Sequence, residues 1–423
     1  MITRTNKNLV VEGFFVSQHA PGENAKVRLR VEIEGASGII QSIGEARGSG
    51  DLVLGEDHLI LPGFIDLHVH AREDVSKLQM HKETYASAGQ AAIHGGVTAF
   101  ADMPNNPAPP IDDASYAAKH ALAKKCPVDV LLYAAVAPRG RPLTFPVPYK
   151  LYMAESIGDT YFESEEVLRD TLPRYRGLKV AFHAEAPEIL NRHRNASSHA
   201  RRRPPEAEVR AIETAIRVSE SFQIEPHICH LSTADGLEVI RAARRRGMHV
   251  SCEVAPHHLY YDQDNVASFG RPLFLQTNPP IRSRLDRIAL LEAFKAGEID
   301  CLASDHAPHT LEEKERGISG MPHLDTYGAF VCWLHAEGVP WQTLRLACAE
   351  RPGKLLSRYL PALYGKVEKG HVGSLTILRE EPETVRRNVL RTRAGWSPFE
   401  GCTFPGRVSH TIVRGKIYPR VDD

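Results

Sequence analysis

The stretch LPGFIDLHVHAR, residues 61–72, decides the fold of this chain. In it a short apolar run ends in two histidines two residues apart, His68 and His70. Because successive side chains of a β-strand alternate between its faces, both imidazoles would point to the same face. Pro62 and Gly63 mark the start of the run. The pattern predicts a buried strand that delivers two nitrogen ligands to one metal ion at its C-terminal end.

Further short apolar runs follow this one, and longer helical or loop segments separate them. The predicted strands are residues 64–68, 97–103, 128–136, 149–153, 179–183, 226–230, 248–253 and 299–304. Two of the intervening stretches, residues 207–222 and 286–295, are amphipathic. Strands alternating with helices over about 250 residues indicate an α/β fold, a (β/α)8 TIM barrel. A doubly wound open sheet shares the alternation, but residues that can carry chemistry follow many different strands, which only a closed ring brings together.

The two ends of the chain are rich in strands and turns. Examples are VRLRVEIEG at residues 27–35, GSLTILR at 373–379 and HTIVRGKIYP at 410–419. Neither end is long enough to form a comfortable domain alone. We therefore predict that residues 1–58 and 366–423 combine into one small β-sandwich domain, beside a barrel domain of residues 59–365.

Charge and cysteine content narrow the class of protein. Lys plus Arg and Asp plus Glu each total 52 in 423 residues, so the formal net charge is zero. Such a balance gives no bulk attraction to nucleic acid or to an anionic membrane. The seven cysteines are odd in number and form no CxxC motif, and no apolar run is long enough to span a membrane. We expect a reduced, cytoplasmic protein with neither nucleic acid nor membrane as partner.

Four further polar residues fall at the C-terminal ends of predicted strands: Lys150, His183, His230 and Asp305. Each alone has an ordinary explanation, because a single histidine after a strand usually packs and an aspartate there can cap a helix. In a barrel, however, all of them converge on the face where active sites lie. Together with the first two histidines, they predict the site of a metal-dependent hydrolase.

Five stretches resemble the dihydroorotase family of the amidohydrolase superfamily. They are LPGFIDLHVHAR, AAIHGGVTAFADMPNNPAPP, HICHLS, CEVAPHHL and ASDHAPHTLEEK. The similarity is to the type with a carboxylated lysine, and it covers residues 59–365 with a recognisable C-terminal segment beyond them. The resemblance implies two zinc ions, with one bound by His68, His70 and Asp305 and the other by His183 and His230.

In this resemblance Lys150 carries CO2 on its amine and bridges the two ions. A free ammonium, with an ordinary pKa of about 10.4, cannot ligate a cation, whereas its carbamate is an anion with two oxygens. An unmodified Lys150 with a single zinc ion is the alternative. Cys229 and Glu253 lie beside predicted ligands, and we interpret them as core residues or as residues that support the ligands from behind, although a third metal near such a pair stays open.

The activity that the resemblance implies is the reversible cyclisation of N-carbamoyl-L-aspartate to L-dihydroorotate in pyrimidine biosynthesis. In the hydrolytic direction, hydroxide held by the two ions would attack the ring amide carbonyl of dihydroorotate. Asp305 would be the general acid and base that takes the proton and gives it to the departing ring nitrogen.

Four residues are predicted to contact the substrate. Arg72 would clamp the substrate carboxylate bidentately, and its alternative is a surface salt bridge. Asn105 and His309 match further ligands of this carboxylate, and Asn278 would touch the ring. After Arg72 the family commonly has Glu-Pro-Gly, where this chain has Glu-Asp-Val. The loop after Lys150 reads AESIG, which departs from the family pattern, so the sequence does not decide whether this loop closes over the substrate.

Two other functions compete with this prediction. An allantoinase or dihydropyrimidinase would share the barrel and the metals, but its substrate lacks the carboxylate that Arg72 would bind. A non-catalytic partner of aspartate transcarbamoylase would have lost metal ligands, yet all six positions are kept here. The resemblance also suggests a homodimer and leaves association with a transcarbamoylase open.

Overall fold

The structure is a computed structural model that describes residues 7–17 and 24–420. Residues 1–6, 18–23 and 421–423, which belong to the predicted terminal domain, lie outside the described residues. The strands are β1 (Leu9–Val16), β2 (Lys26–Ile33), β3 (Ile40–Glu45), β4 (Leu52–Val53), β5 (His58–Pro62), β6 (Phe64–Val69), β7 (Val97–Asp102), β8 (Asp129–Leu132), β9 (Ala134–Ala135), β10 (Tyr149–Tyr152), β11 (Lys179–His183), β12 (Glu225–Ile228), β13 (Ser251–Val254), β14 (Cys301–Leu302), β15 (Leu375–Arg379), β16 (Glu383–Thr384), β17 (Thr403–Phe404), β18 (Arg407–Val413) and β19 (Lys416–Pro419).

The helices mostly connect these strands. They are α1 (Tyr85–His94), α2 (Asp113–Ala123), α3 (Glu165–Thr171), α4 (Pro187–His193), α5 (His199–Arg202), α6 (Pro205–Phe222), α7 (Ala234–Arg245), α8 (Pro256–Tyr260), α9 (Gln263–Ser268), α10 (Arg284–Lys295), α11 (Leu311–Glu315), α12 (Tyr327–Ala336), α13 (Trp341–Arg345) and α14 (Arg351–Tyr359). In the described part of the chain, none of them combines the length and the apolar character that a membrane crossing requires.

Strands from both ends of the chain form one eight-stranded sheet. Its order is β19-β18-β15-β5-β1-β2-β3, and β4 pairs with β1. The two ends meet where β5 and β15 run antiparallel, with Leu61 opposite Thr376. Val11, Ile60 and Ile377 belong to the apolar cluster that this sheet buries. Within the predicted terminal domain, the described residues form this sheet and a separate two-stranded sheet, β16-β17, so the layered sandwich and the domain boundaries stay predictions.

The central strands are parallel, as the alternation of strands and helices predicts. They form a three-stranded sheet, β6-β7-β8, and a six-stranded sheet in the order β14-β13-β12-β11-β10-β9. The mixed α/β class is therefore confirmed. In the described residues the two ladders do not join into one continuous closed sheet, and a single parallel bridge between Val69 and His306 connects β6 with the chain beyond β14.

Three predicted strands are clearly shorter than expected. The run at 248–253 forms a strand only over Ser251–Val254. The run at 128–136 is interrupted at Tyr133, between β8 and β9, where the Tyr133 N–H donates to the Asp102 carbonyl. The run at 299–304 keeps only Cys301–Leu302 as a strand: the Ala303 N–H still donates to the Val254 carbonyl, but the Ser304 N–H donates to the Asp66 carboxylate over 3.0 Å. A side-chain acceptor thus replaces the ladder from Ser304 onward, at the strand end that leads into the site.

The amphipathic helices lie near their predicted positions. In α6 the buried residues Ala211, Ile212, Ala215 and Ile216 follow the helical period and pack toward the core. The N-terminus of α10 has a capping box, in which Ser283 accepts from the Asp286 N–H. These helices cover the outside of the parallel strands, so the carboxyl ends of those strands are left to build the site.

Candidate metal centre

The end of β6 and the chain after β14 bring three predicted ligands together. Nε2 of His68 and Nε2 of His70 each lie 3.3 Å from Oδ1 of Asp305. All three side chains are buried, and they can offer ligand atoms that lie within 4.8 Å of one another. Asp305 has a left-handed φ of 47°, a costly conformation for a residue other than glycine, and such strain is typical of functional sites.

The charge states of this trio suit a cation. Burial lowers the pKa of His70 to about 3, although the nearby Asp305 carboxylate acts to raise it, so the imidazole is neutral. The pKa of Asp305 is lowered to about 2, because His68 and His70 outweigh the effect of burial. Burial and Lys150 oppose protonation of His68, but Glu253 and Asp305 outweigh them and raise its pKa to about 10. A cation bound here would replace the proton of His68.

A second pair of histidines lies at the ends of β11 and β12. Nδ1 of His183 faces Nε2 of His230 over 2.9 Å, and Nε2 of His183 lies 3.0 Å from Oε2 of Glu185. If Nε2 carries the hydrogen and donates to Glu185, Nδ1 keeps its lone pair for a metal ion. Burial lowers the pKa of both histidines, and Nδ1 of His230 is buried without a partner. The pair thus offers two neutral nitrogens.

Lys150 lies on β10 between these groups and is fully buried, with 0% exposure. Its Nζ lies 2.8 Å from Sγ of Cys229 and 5.3 Å from the centre of the Tyr152 ring. Lys150 forms no ion pair with any residue that the structure describes. A buried ammonium without an anionic partner is costly, which fits a lysine that is modified when the metal site is complete.

Cys229 and Glu253 lie against the other nitrogen of His68. Nδ1 of His68 is 2.5 Å from Oε1 of Glu253, whose Oε2 lies 2.9 Å from Nε2 of His227. His68, Cys229 and Glu253 form a second group whose ligand atoms lie within 4.8 Å of one another. Glu253 therefore supports His68 from behind, one of the two roles predicted for this pair.

The four predicted substrate residues lie in three different surroundings. Arg72 is buried, with 3% exposure, and its Nη2 lies 3.4 Å from Nε2 of His309. Asn105 contacts a predicted metal ligand, because its Oδ1 lies 2.7 Å from Nδ1 of His70. Asn278 is half-buried, and its Oδ1 is buried without a partner.

Arg72 holds an unpaired charge. Its Nε and Nη1 are buried and have no hydrogen-bond partner, and it forms no ion pair among the described residues. Burial excludes the surface salt bridge that was its alternative. A buried guanidinium with two unused donor atoms is strongly suited to a carboxylate.

Three more side chains reach this site without having been predicted. Tyr152 follows Lys150 by two residues on β10, so the strand period could have placed it on the same face, and its buried hydroxyl has no partner. Lys82 and Glu313 contact His309 from a loop and from α11. Glu313 follows His309 by four residues and forms the capping box of α11 with Thr310, so the sequence offers a local signal for it. Lys82 has no such signal, because loop packing brings it to His309.

The donor set of imidazoles and carboxylate fits zinc and related divalent ions. The sequence matches the Amidohydrolase family over residues 59–418. It is 34% identical over 386 residues to a protein named dihydroorotase from Pyrococcus furiosus, covering 90% of this chain and 86% of that protein. A protein of the same name from Thermococcus kodakarensis is 34% identical over 418 residues, which is 93% of each chain.

Solved structures show the same fold at lower sequence identity. L-hydantoinase (dihydropyrimidinase) from Arthrobacter aurescens superposes with a TM-score of 0.86 at 23% identity, covering 98% of this chain and 96% of that one. Dihydropyrimidinase from Brevibacillus agri gives a TM-score of 0.83 at 21% identity, with coverage of 98% and 95%. The chain belongs to the amidohydrolase family and is an enzyme of the cyclic amide hydrolase class.

Proposed function

We propose that this enzyme is a dihydroorotase, which interconverts N-carbamoyl-L-aspartate and L-dihydroorotate. The observation that carries the proposal is the buried, unpaired guanidinium of Arg72 beside the trio of His68, His70 and Asp305. Both ligands of a dihydroorotase retain a carboxylate that does not react. Such a group would neutralise Arg72 and use its free donors.

The relatives support this substrate more directly than the solved structures do. Proteins named dihydroorotase are 30–34% identical to this chain over most of its length. The hydantoinases and dihydropyrimidinases are 20–23% identical, so their likeness supports the fold alone. Their fold favours closure of the parallel strands into a (β/α)8 barrel, beside a small terminal β-sandwich of residues 1–58 and 366–423.

The proposed cofactor is a pair of zinc ions bridged by carboxylated Lys150. His68, His70 and Asp305 would hold one ion, and His183 and His230 the other. When bound, zinc supplies Lewis acidity and makes hydroxide available near neutral pH. The buried amine of Lys150, which contacts Cys229 Sγ but has no anionic partner among the described residues, and the lone pair of His183 Nδ1 support this arrangement.

The side chains of the chain itself bind the substrate and move the proton. Arg72 and His309 would hold the carboxylate, and Asn105 orients His70 rather than only contacting substrate. Asp305, ionised and next to both histidines, would accept a proton from water and return it to the departing ring nitrogen. Asn278, with its free Oδ1, would accept from a ring N–H.

A turnover assay on purified, zinc-loaded protein tests the function. L-dihydroorotate, dihydrouracil and allantoin would be supplied in parallel, and we expect hydrolysis of L-dihydroorotate alone. Turnover of dihydrouracil or allantoin would show that Arg72 does not select a carboxylate. No turnover of any substrate with both metals bound would favour a non-catalytic partner of aspartate transcarbamoylase.

Assembly and location follow from the same proposal. We propose a cytoplasmic homodimer that acts on a small molecule, and the transcarbamoylase association is a further prediction. Light scattering of the purified chain measures its mass directly, and a monomer would contradict the dimer.

A further inference from the structure

Two charged residues lie behind His309, on the side of the imidazole away from Arg72. Lys82 is buried, with 7% exposure, and its Nζ lies 2.9 Å from Oε1 of Glu313. Both reach the same ring nitrogen: Oε2 of Glu313 lies 3.1 Å from Nδ1 of His309, and Nζ of Lys82 lies 3.4 Å from it. Arg72 meets the other nitrogen, Nε2, over 3.4 Å.

One ring nitrogen cannot serve both neighbours at once. With a hydrogen, Nδ1 donates to Glu313, and without one it accepts from Lys82. A neutral imidazole carries a single N–H, so the choice at Nδ1 also fixes Nε2. Burial, together with the charges of Arg72 and Lys82, lowers the pKa of His309 to about 3, although Glu313 acts to raise it. The ring is therefore neutral.

The two tautomers suit two states of the site. With hydrogen on Nδ1, the ring donates to Glu313, and Nε2 can accept from Arg72 when no carboxylate is present. With hydrogen on Nε2, the ring can donate to a carboxylate held by Arg72, and Nδ1 then needs a donor. Lys82 is the side chain placed to provide it.

Close neighbours hold both the backbone and the ring of His309, which disfavours ring rotation as a substitute for a change of tautomer. The indole N–H of Trp396 donates to the main-chain carbonyl of His309 over 2.8 Å and fixes the backbone. A Cβ at Gly320 would lie only 3.0 Å from Cδ2 of His309, so the Gly320 backbone packs closely against the ring. His81 and Arg316, the other basic side chains near Lys82 and Glu313, are exposed.

We infer that Lys82 and Glu313 select the tautomer of His309. Glu313 stabilises the Nδ1–H form of the ligand-free site, and Lys82 stabilises the Nε2–H form that donates to the substrate carboxylate. The change removes one proton from Nδ1 and adds one to Nε2 by exchange with water, so His309 takes up no net proton. Lys82 is thus a positioning residue for substrate binding, an inference that rests on the proposed function.

Steady-state kinetics with L-dihydroorotate test the role of Lys82. We expect Lys82→Met to raise KM about tenfold or more, the effect of one lost hydrogen bond to a charged system, with kcat within about threefold. Lys82→Arg, which keeps a donor, should recover most of the affinity. Lys125→Met is the matched control, because Lys125 pairs with Glu73 over 2.8 Å outside the site.

The split between KM and kcat separates positioning from simple support of the fold. Burial, the largest cause of the lowered pKa of His309, remains in Lys82→Met, so the ring stays neutral and only the donor to Nδ1 is lost. The KM of Lys82→Met should therefore rise while kcat and zinc content stay close to those of the wild type. Equal KM values in Lys82→Met and Lys125→Met, no recovery in Lys82→Arg, or loss of zinc would each overturn the inference.

Nitrogen-15 NMR of the His309 ring gives a readout independent of turnover. In the ligand-free wild type we expect the hydrogen on Nδ1, and in Glu313→Gln a shift toward Nε2–H. Hydrogen on Nε2 in the ligand-free wild type would overturn the inference, whatever the substrate is. Absence of dihydroorotate turnover with the expected tautomers would instead contradict the proposed function and leave the selection by Glu313 standing.

Discussion

At the scale of single residues, we expect Arg72 to determine which substrates the proposed site accepts. Arg72→Met removes the only buried cation with unused donors that faces His309 in the described structure, so KM for L-dihydroorotate should rise more than tenfold, a loss of about 1.4 kcal/mol or more. Zinc content should not change, which metal analysis of the same sample checks. Arg169→Met is the control, since Arg169 is half-exposed and pairs with Glu165 on the surface. A fall in zinc content would mean that Arg72 supports the metal site instead.

Lys150 is the second residue whose role a single substitution can decide. Lys150→Ala removes the buried amine that would carry the bridging carbamate, so the variant should bind at least one zinc ion fewer than the wild type. Small carboxylic acids such as acetate should partly restore activity, because they can replace the bridging oxygens. Lys179→Ala, on the neighbouring strand with its Nζ 2.7 Å from Ser251, should keep both ions. Full zinc occupancy in Lys150→Ala would refute the bridge.

At the scale of elements, Lys314 joins two loops around the site. Its Nζ, at the end of α11, donates to the carbonyls of Gln276, Ile318 and Gly320 over 3.0, 2.7 and 2.9 Å. Lys314→Met would leave three carbonyls without their donor in the interior, so the free energy of unfolding should fall by about 3 kcal/mol or more. Urea denaturation measures this loss. Lys295→Met removes only the surface pair with Glu292 and should cost under about 1 kcal/mol; equal losses would contradict a joining role.

The elements also show where sequence reasoning is reliable. The strand through His68 is predicted nearly to its ends, because an apolar run followed by alternating histidines suits only a strand that is buried on both faces. The last parallel strand is overestimated, since Asp66 accepts from the Ser304 N–H and ends the ladder early. Such a side-chain contact between distant residues leaves no periodic signal in the sequence.

At the scale of the whole molecule, the convergence of the predicted metal ligands could be foreseen from the sequence, whereas the approach of Lys82 to His309 could not. Parallel strands all end at the same side, so residues that follow β6, β11, β12 and β14 must meet there once the strand directions are known. Glu313 lies four residues after His309, a spacing that the sequence shows, but Lys82 belongs to a loop whose position depends on packing over the whole fold. The sequence therefore predicts the groups proposed to react better than the lysine proposed to orient one of them.

The histidine content of the interior makes the whole fold sensitive to acid. Burial lowers the pKa of five histidines to about 3 or 4: His70, His309, His323, His199 and His258. In the unfolded chain each has a pKa of about 6.5, so below this pH the unfolded chain binds more protons, and the stability falls as the pH falls toward about 4. The opposite shift of His68 acts only above about pH 6.5, where its folded and unfolded charge states differ.

Urea denaturation of the metal-free protein between about pH 7 and about pH 5 measures this loss, which approaches about 1.4 kcal/mol per pH unit for each histidine. His323→Asn should reduce the slope by about one proton. His249→Asn, at an exposed position, should leave it unchanged. A stability that stays flat down to about pH 5 would mean that the folded protein protonates these imidazoles. A metal ion would then have to displace a proton from His70 as well as from His68, so metal binding would weaken as the pH falls, which a metal titration at about pH 5 and about pH 7 would measure.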